Sequence, residues 1–456
     1  MTAGRASAAA QDAVGLLQRM IRAACVNDGT EGSGQEIRNV EILLDYLGGE
    51  RALKALGADV HLVEPAPGRG NLLLRLPGTD PSAPSLALLG HLDVVPADSA
   101  AWTRDPFGGE LIDGVVWGRG AVDMLSLTAS MAVAFRIVAE SGERPAGDLL
   151  FLATADEEAG SRYGMGWLMR HRPELVLADL AITESGGGLV VGGPDARRVT
   201  VTIGQKGAAG RRLRLRGESG HGSMPYGVRS GAVLAADAVS RLAAHEVPPA
   251  VPTDDWWPDL LGALGLAPDL VARLSDPGTL DAALPETGAY ARVLHALTHL
   301  TISPNVVISG SKSNVIPGDG AIDVDVRLLP GQTGADADAE IGLALAGLPG
   351  VTVEPGPEAP ALVAATDDPL YRAIAAASAE AYPGARPLPL LTPGGNDARH
   401  YLARGLPCYG FGLFSSELDY AEFRRRFHGD DERVDAASVV LCAATYVRIV
   451  RLLGAV

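Results

Sequence analysis

The 456-residue chain has little cysteine, little lysine and few aromatic residues. Its three cysteines, Cys25, Cys408 and Cys442, are far apart and form no CxxC pair. That excludes a cysteine-rich zinc knuckle and a disulfide scaffold, and suits a reducing, cytoplasmic setting. Lysine occurs only at 54, 206 and 312, and acidic residues outnumber basic ones 55 to 38, for a net charge of −17. With no basic stripe to offset that charge, a nucleic-acid partner is not expected. No apolar run reaches the roughly eighteen residues of a membrane helix, and the first twenty residues lack the apolar core of a signal peptide, so no membrane association is expected. No GxSxG elbow or catalytic-cysteine signature occurs, which argues against a serine or cysteine hydrolase.

What is present is 47% hydrophobic and 20% charged, the composition of a globular protein of two or three domains. Residues 11–25, 35–56, 127–140 and 163–170 have helical apolar spacing, and 71–76, 85–95, 148–154 and 178–183 read as strands. Near-continuous apolar strands alternating with helices indicate an α/β layer with a largely parallel sheet. Near 197 the pattern changes to alternating strands (RRVTVTIG, RRLRLRG, AIDVDVRLLPG) with helices at 229–245 and 335–347. From about 360 the α/β pattern returns and ends in an apolar helix at 435–453. The expected organisation is one discontinuous α/β domain, 1–196 and 360–456, interrupted by an α+β domain at 197–359. The segment 246–300, with Trp256 and Trp257, matches no motif.

Five segments carry residues suited to chemistry. His91 and Asp93 end a buried strand and point to the same side, so the carboxylate could fix the tautomer of the imidazole; an ordinary strand-end hydrogen bond fits as well. Asp123 follows the glycine-rich GRGAV, a place that suits a ligand or a helix cap. Asp156, Glu157 and Glu158 follow the strand DLLFLAT, Glu184 follows another apolar strand, and His428 lies in RFHGDDERV. Strand ends are where α/β sheets build sites, and crowded carboxylates need a cation to offset their repulsion. Nitrogen and oxygen donors without sulfur suit zinc, cobalt or manganese. Two dications would be balanced by Asp123, Glu158, Glu184 and a hydroxide, leaving Glu157 free as a base.

In this order, GHLDVVP, GRGAVDM, TADEEAG, ITESGG, GHGSMP, SNVIPGDGAIDVDVRLLPG, PGGNDARHY and FHGDDERV resemble the M20 metallopeptidases over about residues 10–450. That family includes glutamate carboxypeptidases, aminoacylases, acetylornithine deacetylase and succinyl-diaminopimelate desuccinylase. The resemblance implies a zinc-hydrolase domain with an inserted ferredoxin-like lid that also dimerises the protein. It implies two divalent ions, zinc by preference with cobalt and manganese as alternatives. His91, Asp123 and Glu184 would hold one, and Asp123, Glu158 and His428 the other. Asp93 would orient His91, Glu157 would act as general base, and the Asp123–Met124 peptide would be cis. His221 would stabilise the oxyanion, reaching across from the partner subunit of a dimer. Asn314, Arg327, Gly394 and Gly395 would hold the substrate carboxylate. Leu125 and Ser126 stand where the family often has Lys-Gly, and Asn396 where Thr or Ser is usual. The implied reaction is hydrolysis of an amide next to a free carboxylate, in a small peptide or an N-acyl amino acid, so the protein could be a carboxypeptidase, a dipeptidase or a deacylase. A non-catalytic amino-acid or peptide binder on the same fold is the alternative, and retention of all five ligands and Glu157 speaks against it.

Overall fold

The computed structural model describes residues 3–191, 197–253, 256–418 and 420–454. The strands Leu86–His91, Leu149–Thr154 and Leu180–Thr183 are buried along their whole length, as their continuous apolar sequences require. They lie at the centre of a ten-stranded sheet with Leu86–His91 in the middle, parallel to both neighbours. Cys408–Gly410 extends the parallel set beyond Leu180–Thr183. Antiparallel strands Asn71–Leu76 and Asp59–Val63 close one side.

Helices Ala3–Arg22, Leu125–Ser141 and Ala436–Leu453 pack together over one face of this sheet, and shorter helices cover the other. Leu125–Ser141 is buried almost all round, which explains why it carries no charge until Arg136. The last helix corrects one expectation: over 18 residues its mean hydropathy is 1.7, enough by length and composition to cross a membrane. Half of it is buried against the other two helices, as in a core helix. The helical pattern at 35–56 divides into Ile37–Tyr46 and Gly49–Ala55 because Gly48 and Gly49 take φ of 83° and 79°.

A second sheet of four antiparallel strands runs in the order Thr301–Ser309, Asp319–Leu328, Gly207–Arg216, Val351–Ala359. With helices Gly231–Ala244 and Gly334–Ala344 it forms a βαββαβ unit around its own apolar core, the ferredoxin-like arrangement expected of the insert.

The expected boundary at 197 does not coincide with the change of sheet. Arg197–Gln205 belongs to the central sheet, beside Cys408–Gly410 and parallel to Arg386–Thr392. Its alternation reads as a half-solvated strand, but its inward residues Val199, Val201 and Ile203 join the main core. The chain enters the second sheet only after Lys206. The helical pieces of 256–298 likewise pack on the main core, through Trp257, Leu260, Leu274, Leu294 and Leu297. Trp257 is 1% exposed, so it packs the core and lines no open pocket. Thr301–Ser309 escapes the sequence pattern because Pro304 interrupts it and the register shifts between Pro304 and Val306.

Candidate metal centre

Three adjacent parallel strands end at one edge of the sheet, and each delivers a polar residue there. His91 is the last residue of its strand, Glu158 follows Thr154 by four positions, and Glu184 directly follows Thr183. Strands buried on both faces have room for such groups only where the chain leaves the sheet.

Asp123 arrives from a different direction, on the loop Gly118–Met124. At Gly120 (φ 88°) a Cβ would sit 2.7–2.9 Å from the Val94 and Leu125 side chains, so the tight turn requires glycine. The buried carboxylate of Glu432 fixes the turn. It accepts the N–H of Gly120 (3.1 Å), Val122 (2.6 Å) and Asp123 (3.0 Å), and a hydrogen bond from Arg119 Nη1 (2.8 Å). Arg119 also donates to the carbonyls of His428 (3.3 Å) and Gly429 (3.1 Å), which ties the His428 loop to the Asp123 loop. The Asp123–Met124 peptide is cis.

These segments converge. His91 Nε2 lies 3.1 Å from Asp123 Oδ1 and 3.9 Å from Glu184 Oε1. His428 Nε2 lies 3.1 Å from Asp123 Oδ2 and 3.2 Å from Glu158 Oε2. Two three-residue groups result, each with its donor atoms within 4.8 Å of one another, and Asp123 belongs to both.

The chemistry of the cluster fits bound cations. His91 Nδ1 is 2.9 Å from the main-chain carbonyl of Asp93, to which it can only donate, so Nε2 is the nitrogen turned to the two carboxylates and is the one that would bind a metal ion once its proton is lost. Burial, and then the Asp123 charge, push the Glu184 carboxyl well above its usual range and raise Glu158 as well. Glu158 Oε1 is buried with no hydrogen-bond partner among the described residues. Burial opposes the Asp123 charge too, but hydrogen bonds from His428 and His91 outweigh it and hold that carboxyl low. Hydrogen bonds to the carboxylates of Asp123 and Glu158 raise His428 to about 10. An all-nitrogen-and-oxygen donor set of this charge suits divalent ions.

Asp93 differs from its expected role in one respect. Its carbonyl, rather than its carboxylate (3.6 Å), is the nearer partner of the imidazole. The carboxylate instead accepts the N–H groups of Glu157 and Glu158, both at 3.1 Å, and Asn27 Nδ2 at 2.8 Å. It therefore also shapes the turn that presents the two glutamates. Glu157 is buried beside the cluster, and burial followed by Asp397 raises its carboxyl well above the usual range. Asp156 turns away, to Asn27 (3.0 Å) and Arg69 (2.8 Å), and Arg69 in turn pairs with buried Glu36.

Residues 87–452 match the model of peptidase family M20/M25/M40. The chain belongs to the M20 peptidase family. It is 31% identical to a succinyl-diaminopimelate desuccinylase of Cereibacter sphaeroides, over 88% of this chain and 91% of that protein. Its fold is that of the M20 metallo-carboxypeptidase Sso-CP2 of Sulfolobus solfataricus (TM-score 0.70, 18% identity, 98% of this chain and 100% of that one). Human carnosine dipeptidase 1 is similarly close (TM-score 0.69, 16% identity, 98% and 97%). As an M20 member the chain is a metal-dependent hydrolase, and the two groups sharing Asp123 are where its sheet gathers metal-binding side chains.

Of the other expected site residues, only Arg327 is on the second sheet; His221 and Asn314 are at a separate two-stranded ribbon, and Gly394 and Gly395 follow a strand of the central sheet. His221 and Asn314 are exposed neighbours on a two-stranded ribbon, where Gly222 N–H donates to the Asn314 carbonyl (2.9 Å). Arg327 pairs with Asp325 on the second sheet. No hydrogen bond or ion pair joins His221, Asn314 or Arg327 to the metal-ligand groups among the described residues. Gly394 and Gly395 are exposed after the strand Arg386–Thr392, on the metal-centre side. Glu432, Arg119, Asn27, Arg69 and Glu36 were not picked out from sequence. Glu432 and Arg119 lie inside FHGDDERV and GRGAVDM, but a charged residue in a loop reads as solvated until its burial is known.

Proposed function

We propose that this M20 enzyme uses two divalent ions, zinc by preference, to hydrolyse an amide bond next to a free carboxylate in a small peptide or an N-acyl amino acid. The observation that carries this reading is the placement of Asp123 between His91 and His428, 3.1 Å from each through separate oxygens. In this reading His91, Asp123 and Glu184 hold one ion, and Asp123, Glu158 and His428 the other. The bound ions supply positive charge that makes water a better nucleophile at neutral pH and polarises the scissile carbonyl. Glu157 ligates neither ion; it takes the proton of the attacking water on its carboxylate and passes it to the departing amine.

Residues of the inserted segment, together with the glycine pair, complete the reaction after closure. Arg327 offers a planar fork for the substrate carboxylate, Asn314 and the N–H groups of Gly394 and Gly395 add donors, and His221 donates to the developing oxyanion. Movement of the second sheet toward the metal centre would bring these groups together and expel water. A homodimer built on the second sheet would supply His221 from the partner. Its exposed edge strand, with Val306, Val307 and Ile308 each about half exposed, supports that assembly. The free, buried thiols of all three cysteines suit the cytoplasm.

Relatives named as desuccinylases favour the deacylase form of this activity, and the carboxypeptidase and dipeptidase folds favour the peptidase form. A screen of the zinc- and cobalt-loaded protein, setting dipeptides against N-acetyl and N-succinyl amino acids, decides between them. The Glu157→Ala variant should keep its metal content and lose turnover by about two to four orders of magnitude. Full activity in that variant would remove Glu157 from the mechanism.

A further inference from the structure

Two donors not assigned above converge beside the glycine pair. Arg399 is the second residue of the short helix Ala398–Leu402 that follows Asn396 and Asp397, and its guanidinium comes back over Gly395. A Cβ at Gly395 would lie 3.8 Å from Arg399 Nη1 and 3.5 Å from Gln205 Nε2, so both groups flank the position where a substrate would cross the exposed Gly394–Gly395 backbone.

Each donor is oriented through its far end. Arg399 Nη2 donates to Ser161 Oγ (3.0 Å) and lies 3.4 Å from Asp397 Oδ1, while Ser161 hydrogen-bonds the same Asp397 oxygen. Nη1 lies 3.7 Å from Glu157 Oε1, beyond hydrogen-bond distance, and Nη1 and Nε make no hydrogen bond among the described residues. The side chain is 24% exposed, where a purely structural guanidinium such as Arg69 is 1% exposed. Gln205 is buried; its Oε1 accepts the N–H of Asn396 (3.0 Å), which turns the amide so that Nε2 faces Gly395. The glycine pair thus has a cation and an amide donor beside it, with N–H groups that make no hydrogen bond among the described residues and a water-accessible approach.

We propose that Arg399 and Gln205 form the fixed half of the carboxylate subsite and make the enzyme selective for an anionic substrate end over its neutral carboxamide. This rests on the amide-hydrolase reading above. Arg327 is on the second sheet and moves with it, whereas Arg399 and Gln205 are on the metal-centre side, so the carboxylate is recognised before closure. A planar guanidinium with an unused edge suits a carboxylate oxygen, and both side chains turn donors, Arg399 Nη1 and Gln205 Nε2, toward the glycine pair.

The test compares the zinc-loaded wild type with Arg399→Met, Arg399→Lys and Gln205→Met on an N-acyl amino acid and its carboxamide. In the wild type kcat/KM should favour the acid. Arg399→Met should lower that preference about tenfold to a hundredfold, mainly through KM for the acid. Arg399→Lys should keep part of it, added guanidinium ion should restore part of it to Arg399→Met, and Gln205→Met should lower it less. If Arg399→Met slows acid and carboxamide equally, or leaves the preference unchanged, Arg399 is only a brace for Asp397 and Ser161 and the proposal is overturned. Hydrolysis of neither compound by the wild type would instead overturn the amide-hydrolase reading itself.

Discussion

In the proposed reading Asp123 bridges two ions, and its loop is held in place for that role. Glu432 satisfies three N–H groups of that loop and the guanidinium of Arg119, all out of contact with water. Replacing its carboxylate with a neutral isostere keeps the shape but removes the charge that Arg119 requires. Glu432→Gln should therefore weaken metal binding by about tenfold to a hundredfold, as outer partners of metal ligands generally do. Competition against a chelator of known affinity measures this, and unchanged affinity would show that the turn holds Asp123 unaided. The proposed ligands were marked in the sequence, because His91 ends an apolar strand and Glu158 and Glu184 follow others. Glu432, Asn27 and Arg69 were not, because their importance lies in burial and in partners up to several hundred residues away.

Among the elements, the junction between the two sheets has a device of its own. Lys206 separates the central-sheet strand Arg197–Gln205 from Gly207–Arg216, the first strand of the other sheet. Its ammonium donates to the carbonyls of Ala296 (2.9 Å) and His299 (2.6 Å), where the chain returns to the second sheet. The side chain is buried and faces no close carboxylate, so burial, and then the Arg327 charge, lower its pKa to about 7. The unfolded chain keeps that proton to about pH 10. Between these limits the unfolded state binds more protons, so stability rises with pH there, by up to about 1.4 kcal/mol per unit. Urea unfolding at several pH values should show this rise in the wild type and not in Lys206→Met. Equal slopes would mean that Lys206 titrates normally. The sequence pattern marks four strands of the central sheet, Asn71–Leu76, Leu86–His91, Leu149–Thr154 and Leu180–Thr183, where burial leaves continuous apolar runs. It lost Thr301–Ser309, where an edge strand with a proline lacks that signal.

At the scale of the whole molecule, alternation in Arg197–Gln205 mimicked the second sheet, because one face of this strand packs on the core and the pattern cannot say which core. The insertion itself was visible as a change from apolar runs to alternation. How the second sheet meets the metal centre was not, since that depends on a hinge and on assembly. If the Thr301–Ser309 edge joins two copies, Val307→Lys should shift a dimer toward monomer in sedimentation and lower activity by withholding the partner's contribution. A variant that stays dimeric, or a fully active monomer, would place the interface or the oxyanion donor elsewhere.

The account stands or falls on whether a pair of ions shares Asp123. Metal analysis of zinc-equilibrated protein tests this directly: about two ions per chain in the wild type, and loss of both in Asp123→Ala. Retention of two ions by that variant, or a wild type that binds none, would contradict it.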